Sequence, residues 1–267
     1  MGFMANLKGQ QALGLQGKGQ NAEAKAKYAE AYAAGMNQPR LLLAYAVLLI
    51  RDGEFQQAKD MLVKMQKLPG ITPDQKAQLF MDYAVCCYKL GDLERGVNLL
   101  EKQHLRQPTG MIYETLGYLY VEKYDQARKA EFLANPPQPE VDERFGSEAP
   151  AVDPEEAWNA GVEKALAFNK EAADYDDEDA VCLDNLGQTY YRVLGDKQAA
   201  REWFDKALAV KPGQIDTLWF LSRYDVEAGD TAAAIAKLET ALEGRFSPLN
   251  KVTKADVEAE IARLKAL

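Results

Sequence analysis

Residues 180–212 read AVCLDNLGQTYYRVLGDKQAAREWFDKALAVKP, and within them Leu183, Leu186, Gly187 and Tyr190 are followed by Ala200, Phe204, Ala207 and Pro212. Apolar residues three and four apart form one face of an amphipathic helix, so the stretch predicts two helices joined by a turn. Gly187 and Ala200 present small surfaces where the two antiparallel helices touch, while Leu186, Tyr190 and Phe204 fill the volume around them. Pro212 then ends the second helix and fixes the turn beyond it.

The same order of sizes recurs in both directions along the chain. Units begin near Ala5, Pro39, Ala77, Gly110, Ala180 and Ile215, at about one period of 34 residues apart, except that the fourth and fifth are separated by one period and 36 more residues. The second unit has Leu42, Tyr45, Ala46 and Leu49, a turn at Gly53, then Ala58 and Leu62. The third has Phe80, Tyr83, Ala84 and Cys87, a turn at Gly91, then Gly96, Leu100 and Pro108. The fourth opens with Tyr113, Leu116, Gly117 and Tyr120, and the sixth carries Leu218, Leu221, Ser222, Gly229, Ala234, Leu238 and Ala241. The first is the weakest, because Gly14, Gly17 and Gly19 interrupt its opening helix, yet Ala24, Tyr28 and Ala31 mark a sound second one. Thr253 to Leu267 reads as a last helix with Val257, Ile261 and Leu264 on one face, which is what covers the open end of a stack of repeats.

These positions resemble the tetratricopeptide repeat family, whose pattern is a large residue, Leu and Gly, Tyr, then Ala, Phe, Ala and Pro at these spacings. The fifth unit follows it with Leu183 where Trp is usual and one residue inserted near Leu194. The resemblance covers about residues 5–248. It implies an all-α, right-handed superhelical solenoid of about six hairpins with a C-terminal capping helix. The expected division is 1–124 for three repeats and the first helix of the fourth, 125–157 for an acidic insertion, 158–248 for the remaining helices, and 249–267 for the cap. The repeat-packing set is Leu116, Gly117, Leu186, Gly187, Tyr190, Ala200, Phe204 and Ala207.

Charge is distributed unevenly. The chain has 41 acidic and 32 basic residues, a net charge of −9. Between Glu131 and Ala180 there are 15 acids and 3 bases, so the remainder is slightly basic. Five prolines between Asn135 and Pro154 predict an exposed, extended loop, either a tolerated insertion or a flap that uses Phe132, Phe145 and Trp158. An acidic chain without a basic, aromatic-interleaved stripe is a poor candidate for binding nucleic acid. The longest apolar run, Leu41 to Ile50, is about half a membrane span, and no secretory signal precedes it. A cytoplasmic location is expected, and an anchor ahead of residue 1 would leave no trace in these residues.

Candidate chemistry is sparse. Cys86, Cys87 and Cys182 sit in apolar stretches and read as buried small hydrophobes, without a disulfide framework. His104 is the single histidine, so no base and nucleophile pair or histidine ligand set can be built, and it reads as a surface or capping residue. Asp174, Asp176, Asp177, Glu178 and Asp179 lack the alternation and central glycine of a calcium loop, and read as a solvated turn with its last acids at a helix start. No catalytic residue, metal site or cofactor is expected.

The resemblance implies a groove lined by the first helix of each hairpin. Its register places Trp219, Phe220, Arg223 and Val226 there in the last unit, and Asp184, Asn185, Gln188, Tyr191 and Arg192 in the one before. Tyr118 and Glu122, then Met81, Asp82 and Tyr88, line earlier units. Trp219 has a second reading, as packing against a neighbouring or capping helix. The lysines with which one subgroup of the family clamps a peptide carboxylate are replaced by Leu43, Met81, Glu114 and Asp184, so that mode is not expected. The implied function is a non-catalytic adaptor that holds a protein or peptide segment against Trp219, Phe220, Tyr191 and Tyr118, with Asn185, Gln188, Arg192 and Arg223 as polar partners. The alternatives are a self-associating structural protein, a homo-oligomer through the first repeat, and a small-molecule sensor or enzyme with a pocket under the insertion.

Overall fold

The structure is a computed structural model that describes residues 2–136 and 153–267. Among the described residues there are fourteen α-helices and no strand. They divide into two compact units, the first formed by residues 1–115 with Ser247–Leu249, the second by residues 116–246 and 250–267.

The first unit contains α1 (Gly2–Gly17), α2 (Asn21–Ala33), α3 (Pro39–Arg51), α4 (Phe55–Met65), α5 (Pro73–Lys89), α6 (Leu93–His104) and the start of α7 (Gly110–Lys123). Helix starts follow local chemistry. Pro39 and Pro73 stand in the first turns of α3 and α5, where no N–H is needed, and Thr72 with Gln75 closes a capping box. The hairpin turns after α3 and α5 use Gly53 and Gly91 at positive φ, a conformation side chains with a Cβ avoid. Tyr28 and Tyr45 stack with ring centroids 5.6 Å apart inside the unit, and Gly96 lets α6 approach α5 so closely that a Cβ would lie 2.9 Å from the Ala84 carbonyl oxygen. The first hairpin is more regular than its glycines suggest. α1 runs unbroken to Gly17, and Gly14 and Gly17 face open space, where a missing side chain forfeits no packing.

The second unit contains the rest of α7, a 3₁₀ turn (Gln126–Arg128), α8 (Lys129–Ala134), α9 (Pro154–Tyr175), α10 (Ala180–Gln188), a π-helical segment (Thr189–Leu194), α11 (Lys197–Val210), α12 (Ile215–Glu227), α13 (Thr231–Leu242) and α14 (Lys254–Lys265). α9 pairs with α7 through Phe168 on Tyr120 and through the Asn169 amide, which donates to the Gly117 carbonyl at 3.3 Å. A Cβ on Gly187 would lie 2.7 Å from the Phe204 ring, so the glycine is what allows α10 and α11 to close on each other. Leu116, Leu186, Ala200, Phe204 and Ala207 are buried, and Tyr190 packs half-buried beside them. α14 buries Val257, Ile261 and Leu264 against Leu218, Ala234, Leu238 and Ala241, so the last helix does cap the hairpin before it.

The acidic stretch differs in its flanks from a plain loop. Asp125 caps the 3₁₀ turn by accepting from the Ala127 N–H, and Asp153 accepts from the Glu155 and Glu156 N–H groups to start α9 at Pro154. The extended loop expected across residues 137–152, with Phe145, lies outside the described residues. Phe132 and Trp158 are packed edge-to-face, 5.2 Å apart, and Trp158 also meets the Tyr124 ring at 5.6 Å. Both rings thus belong to the packing of α7, α8 and α9.

Candidate functional site

The residue inserted near Leu194 is absorbed locally. Gly187 to Gly195 is one residue longer than Ala46 to Gly53 or Ala84 to Gly91, and the chain accommodates the excess as a π turn that ends at Gly195 with φ 71°. The Asp196 N–H reaches back to the Tyr190 carbonyl, and the Val193 carbonyl accepts from the Gln126 side chain at 3.3 Å. π turns of this kind are frequent at functional positions.

The π turn brings Arg192 inward onto two acids. Its Nη2 donates to Glu122 Oε1 at 2.6 Å, its Nε to Asp125 Oδ2 at 2.9 Å, and its Nη1 to Gln188 Oε1 at 2.8 Å. Gln188 Nε2 donates to Asp184 Oδ2 at 2.7 Å, and Thr217 Oγ1 donates to Asp184 Oδ1 at 2.5 Å. Asp216 stands next in line. Both its oxygens accept from the Lys251 N–H at 3.0 Å, and Oδ2 accepts from Asn250 Nδ2 at 3.3 Å. Lys251 Nζ lies 3.9 Å from Glu122 and 4.0 Å from Asp125. The carboxyls of Asp184 and Asp216 are held above the usual carboxylate range, chiefly because burial disfavours their charged form. The result is a polar chain that runs along α7, α10 and α12.

Of the side chains expected to face a partner, Tyr118, Asn185, Gln188, Arg192 and Phe220 are buried, and Tyr191, Trp219 and Arg223 are half-buried. Phe220 is not presented outward. It stacks on Phe204, 5.1 Å away and nearly parallel, with Tyr191 tilted against it at 5.0 Å, because its place in the repeat points back at the preceding hairpin. Trp219 packs on the capped cluster, with the Arg223 guanidinium 3.9 Å above its ring and Arg223 also paired to Glu260 of α14 at 2.6 Å. The capping-helix reading of Trp219 therefore describes its place. The Asn185 amide lies in the packing between helices, against Gly117 beside Asn169, whereas the Gln188 amide bridges Asp184 and Arg192 along its own helical run. Asp125, Asp216, Thr217, Asn250 and Lys251 complete the network without having been singled out in the sequence. Of these, Asp216 carried a sequence signal, as an acid in the first turn of the sixth unit's opening helix.

Elsewhere, chemistry stays quiet. Cys86, Cys87 and Cys182 are buried thiols, and burial pushes Cys86 up to about 12. His104 meets the Tyr113 ring edge-on at 4.9 Å. Asp179 accepts from the Val181 and Cys182 N–H groups and starts α10. Among the described residues, no helix is long and apolar enough to cross a membrane, and no group of three potential metal ligands converges.

No protein-family model matches the chain, and no curated protein matches it in sequence. Solved structures do. A thermophilic TPR protein of Thermus thermophilus, TTC0263, aligns with a TM-score of 0.61 and 20% identity over 86% of this chain and 100% of its own. The human IFIT1 dimer with m7Gppp-AAAA aligns with a TM-score of 0.60 and 14% identity over 90% of this chain, which spans 48% of that one. MamA aligns with a TM-score of 0.51 and 14% identity, covering 80% of this chain and 95% of its own. At these identities the likeness is one of architecture, and it agrees with the size pattern around Gly187 and with the hairpins that pattern builds: the chain has the tetratricopeptide-repeat fold.

Proposed function

We propose that the chain is a non-catalytic interaction module that holds a segment of another protein against the first-helix face of its second unit. The observation that carries this reading is where the molecule tolerates buried polar groups. Among the described residues, the polar and charged side chains that are buried outright run from Thr115 to Ser222, and all but Thr115 lie in the second unit. Buried ion pairs and amides add little net stability, so a packed repeat gains nothing by collecting them. A recognition face does, because polar groups fixed in advance discriminate between partners. Trp219, Arg223 and Tyr191, half-buried in the same unit, supply the residue types enriched at binding hot spots.

Protein is favoured over nucleic acid by the sign of the face. Glu122, Asp125, Asp184 and Asp216 stand against Arg192 and Lys251, whereas a nucleic-acid surface neutralises phosphates with cations. The capped RNA named with IFIT1 thus has no charge counterpart on this face. The test is capture of partner from cell extract by wild type and by a Trp219→Ala, Arg223→Ala variant matched for helicity. A protein retained by the first and lost by the second supports the reading, and equal retention by both removes the face from consideration. A second reading, self-association, is favoured by α1, where Phe3 is 80% and Met4 62% exposed. It predicts a mass that grows with concentration in light scattering and falls with Phe3→Ser.

A further inference from the structure

Two arginines converge on one acid where the capping helix meets α12. Arg263, in the last turn of α14, donates from Nε to Glu260 Oε2 and from Nη2 to Glu260 Oε1, both at 2.8 Å. Arg223 of α12 donates from Nη1 to the same Oε1 at 2.6 Å. The Arg263 hydrogen bonds, with Arg223 beside them, hold the Glu260 carboxyl below its usual range, so it stays charged. Among the described residues no further ion pair joins this trio, and two cations against one carboxylate leave one positive charge over.

The surplus is presented by Arg223 in a fixed pose. Its guanidinium lies 3.9 Å over the Trp219 ring, which sets its plane, and Glu260 holds one end through Nη1. Nε and Nη2 make no hydrogen bond among the described residues, and 28% of the side chain is exposed. Arg192 is the contrast, with Nε, Nη1 and Nη2 all bonded and 5% of the side chain exposed. A guanidinium edge carrying two parallel N–H groups takes a carboxylate through two hydrogen bonds at once. Because the plane is held in advance, little freedom is lost when the carboxylate arrives. We propose that Arg223, laid on Trp219 and aligned by Glu260, is the anchor point for one acidic side chain of the bound segment. The proposal rests on the function proposed above and names the chemistry of the segment held. One surplus charge matches one carboxylate, with Arg263, 51% exposed, as a second cation at the rim.

The test selects peptides from a random library displayed without free C-termini, using the full chain and variants matched for helicity. Wild type enriches peptides with Asp or Glu at one fixed position, and replacing that acid by its amide in a C-terminally amidated copy weakens binding about tenfold in fluorescence anisotropy. Arg223→Gln binds the acid and amide copies equally. Glu260→Gln acts in the opposite direction, since it releases Nη1 and adds to the positive charge, and it binds the acid copy more tightly than wild type does. A purely structural ion pair would lose affinity whichever partner is removed, and α14 stays docked in that variant through Val257, Ile261 and Leu264. Selected peptides without a fixed acid, or an acid preference that survives Arg223→Gln or shrinks in Glu260→Gln, overturn the proposal. If such peptides still lose binding to Trp219→Ala, the interaction face stands and only the acid anchor is lost. If no peptide is selected at all, both readings fall.

Discussion

The two units carry the same hairpin on different terms. In the first, the side chains buried outright along the opening helices α1, α3 and α5 are apolar, Leu43, Ile50, Met81 and Val85 among them. In the second, the opening helices and the π turn hold Glu122, Asp184, Gln188, Arg192 and Asp216, also buried, with hydrogen bonds at 2.5–2.9 Å around Arg192 and Asp184. The first unit's main ion pairs are peripheral by comparison. Lys25, which meets Asp52 and Glu54, keeps 29% of its side chain exposed. One fold thus supports a half that is kept together by apolar burial and a half whose interior is specified by pairing.

The largest effect is expected from removing the central cation of the second unit. Arg192→Met removes the cation hydrogen-bonded to both Glu122 and Asp125 while leaving them enclosed, and is expected to cost about 3–5 kcal/mol in urea unfolding. A loss under about 1 kcal/mol would mean that the second unit does not depend on its network. Next is Gly187→Ala, which forces a methyl group against the Phe204 ring and is expected to cost about 1–3 kcal/mol. The same change at Gly14, which faces open space in α1, should stabilise by about 0.5–1 kcal/mol, so the two glycines separate packing from propensity.

The first unit has one charge problem of its own. Among the described residues, nothing offers a hydrogen bond to the buried Asp82 Oδ2, and burial pushes its carboxyl up to about 7. The native chain therefore keeps a proton that the unfolded chain releases near pH 4, and stability contributed at this residue falls as pH rises between about 4 and 7. Asp82→Asn should match wild type below about pH 4 and exceed it above about pH 7, by about 1–3 kcal/mol in thermal or urea melts. An unchanged pH profile would place that carboxyl in contact with water. Smallest is Lys25→Ala, whose exposed pairs are worth about 0–1 kcal/mol and whose effect should shrink further in high salt.

The fold was legible because its determinants are local in sequence and strict in size. Gly187 must be small where Phe204 presses, and Gly53, Gly91, Gly195 and Gly229 must reach positive φ at the hairpin turns. The face was not legible in the same way, since its partners meet across long separations: Arg192 and Glu122 are 70 residues apart, Asp184 and Thr217 are 33. Register alone put Phe220 on the binding face, but the stacking of Phe220 on Phe204 decides its direction. The same register gave Arg192 as a free hand for a partner, whereas the π turn commits it to Glu122 and Asp125.

That turn also separates two things a helical repeat usually couples. An extra residue in an α-helix advances every later side chain by about 100° and would turn the following helix out of phase. Here the surplus is spent within Thr189–Leu194, and α11 still delivers Ala200, Phe204 and Ala207 to the core. A single repeat can therefore be re-aimed without being re-stacked. Insertions and deletions confined to these six residues are the natural dial for changing what the face presents, and the place where a designer could graft a new specificity onto this scaffold.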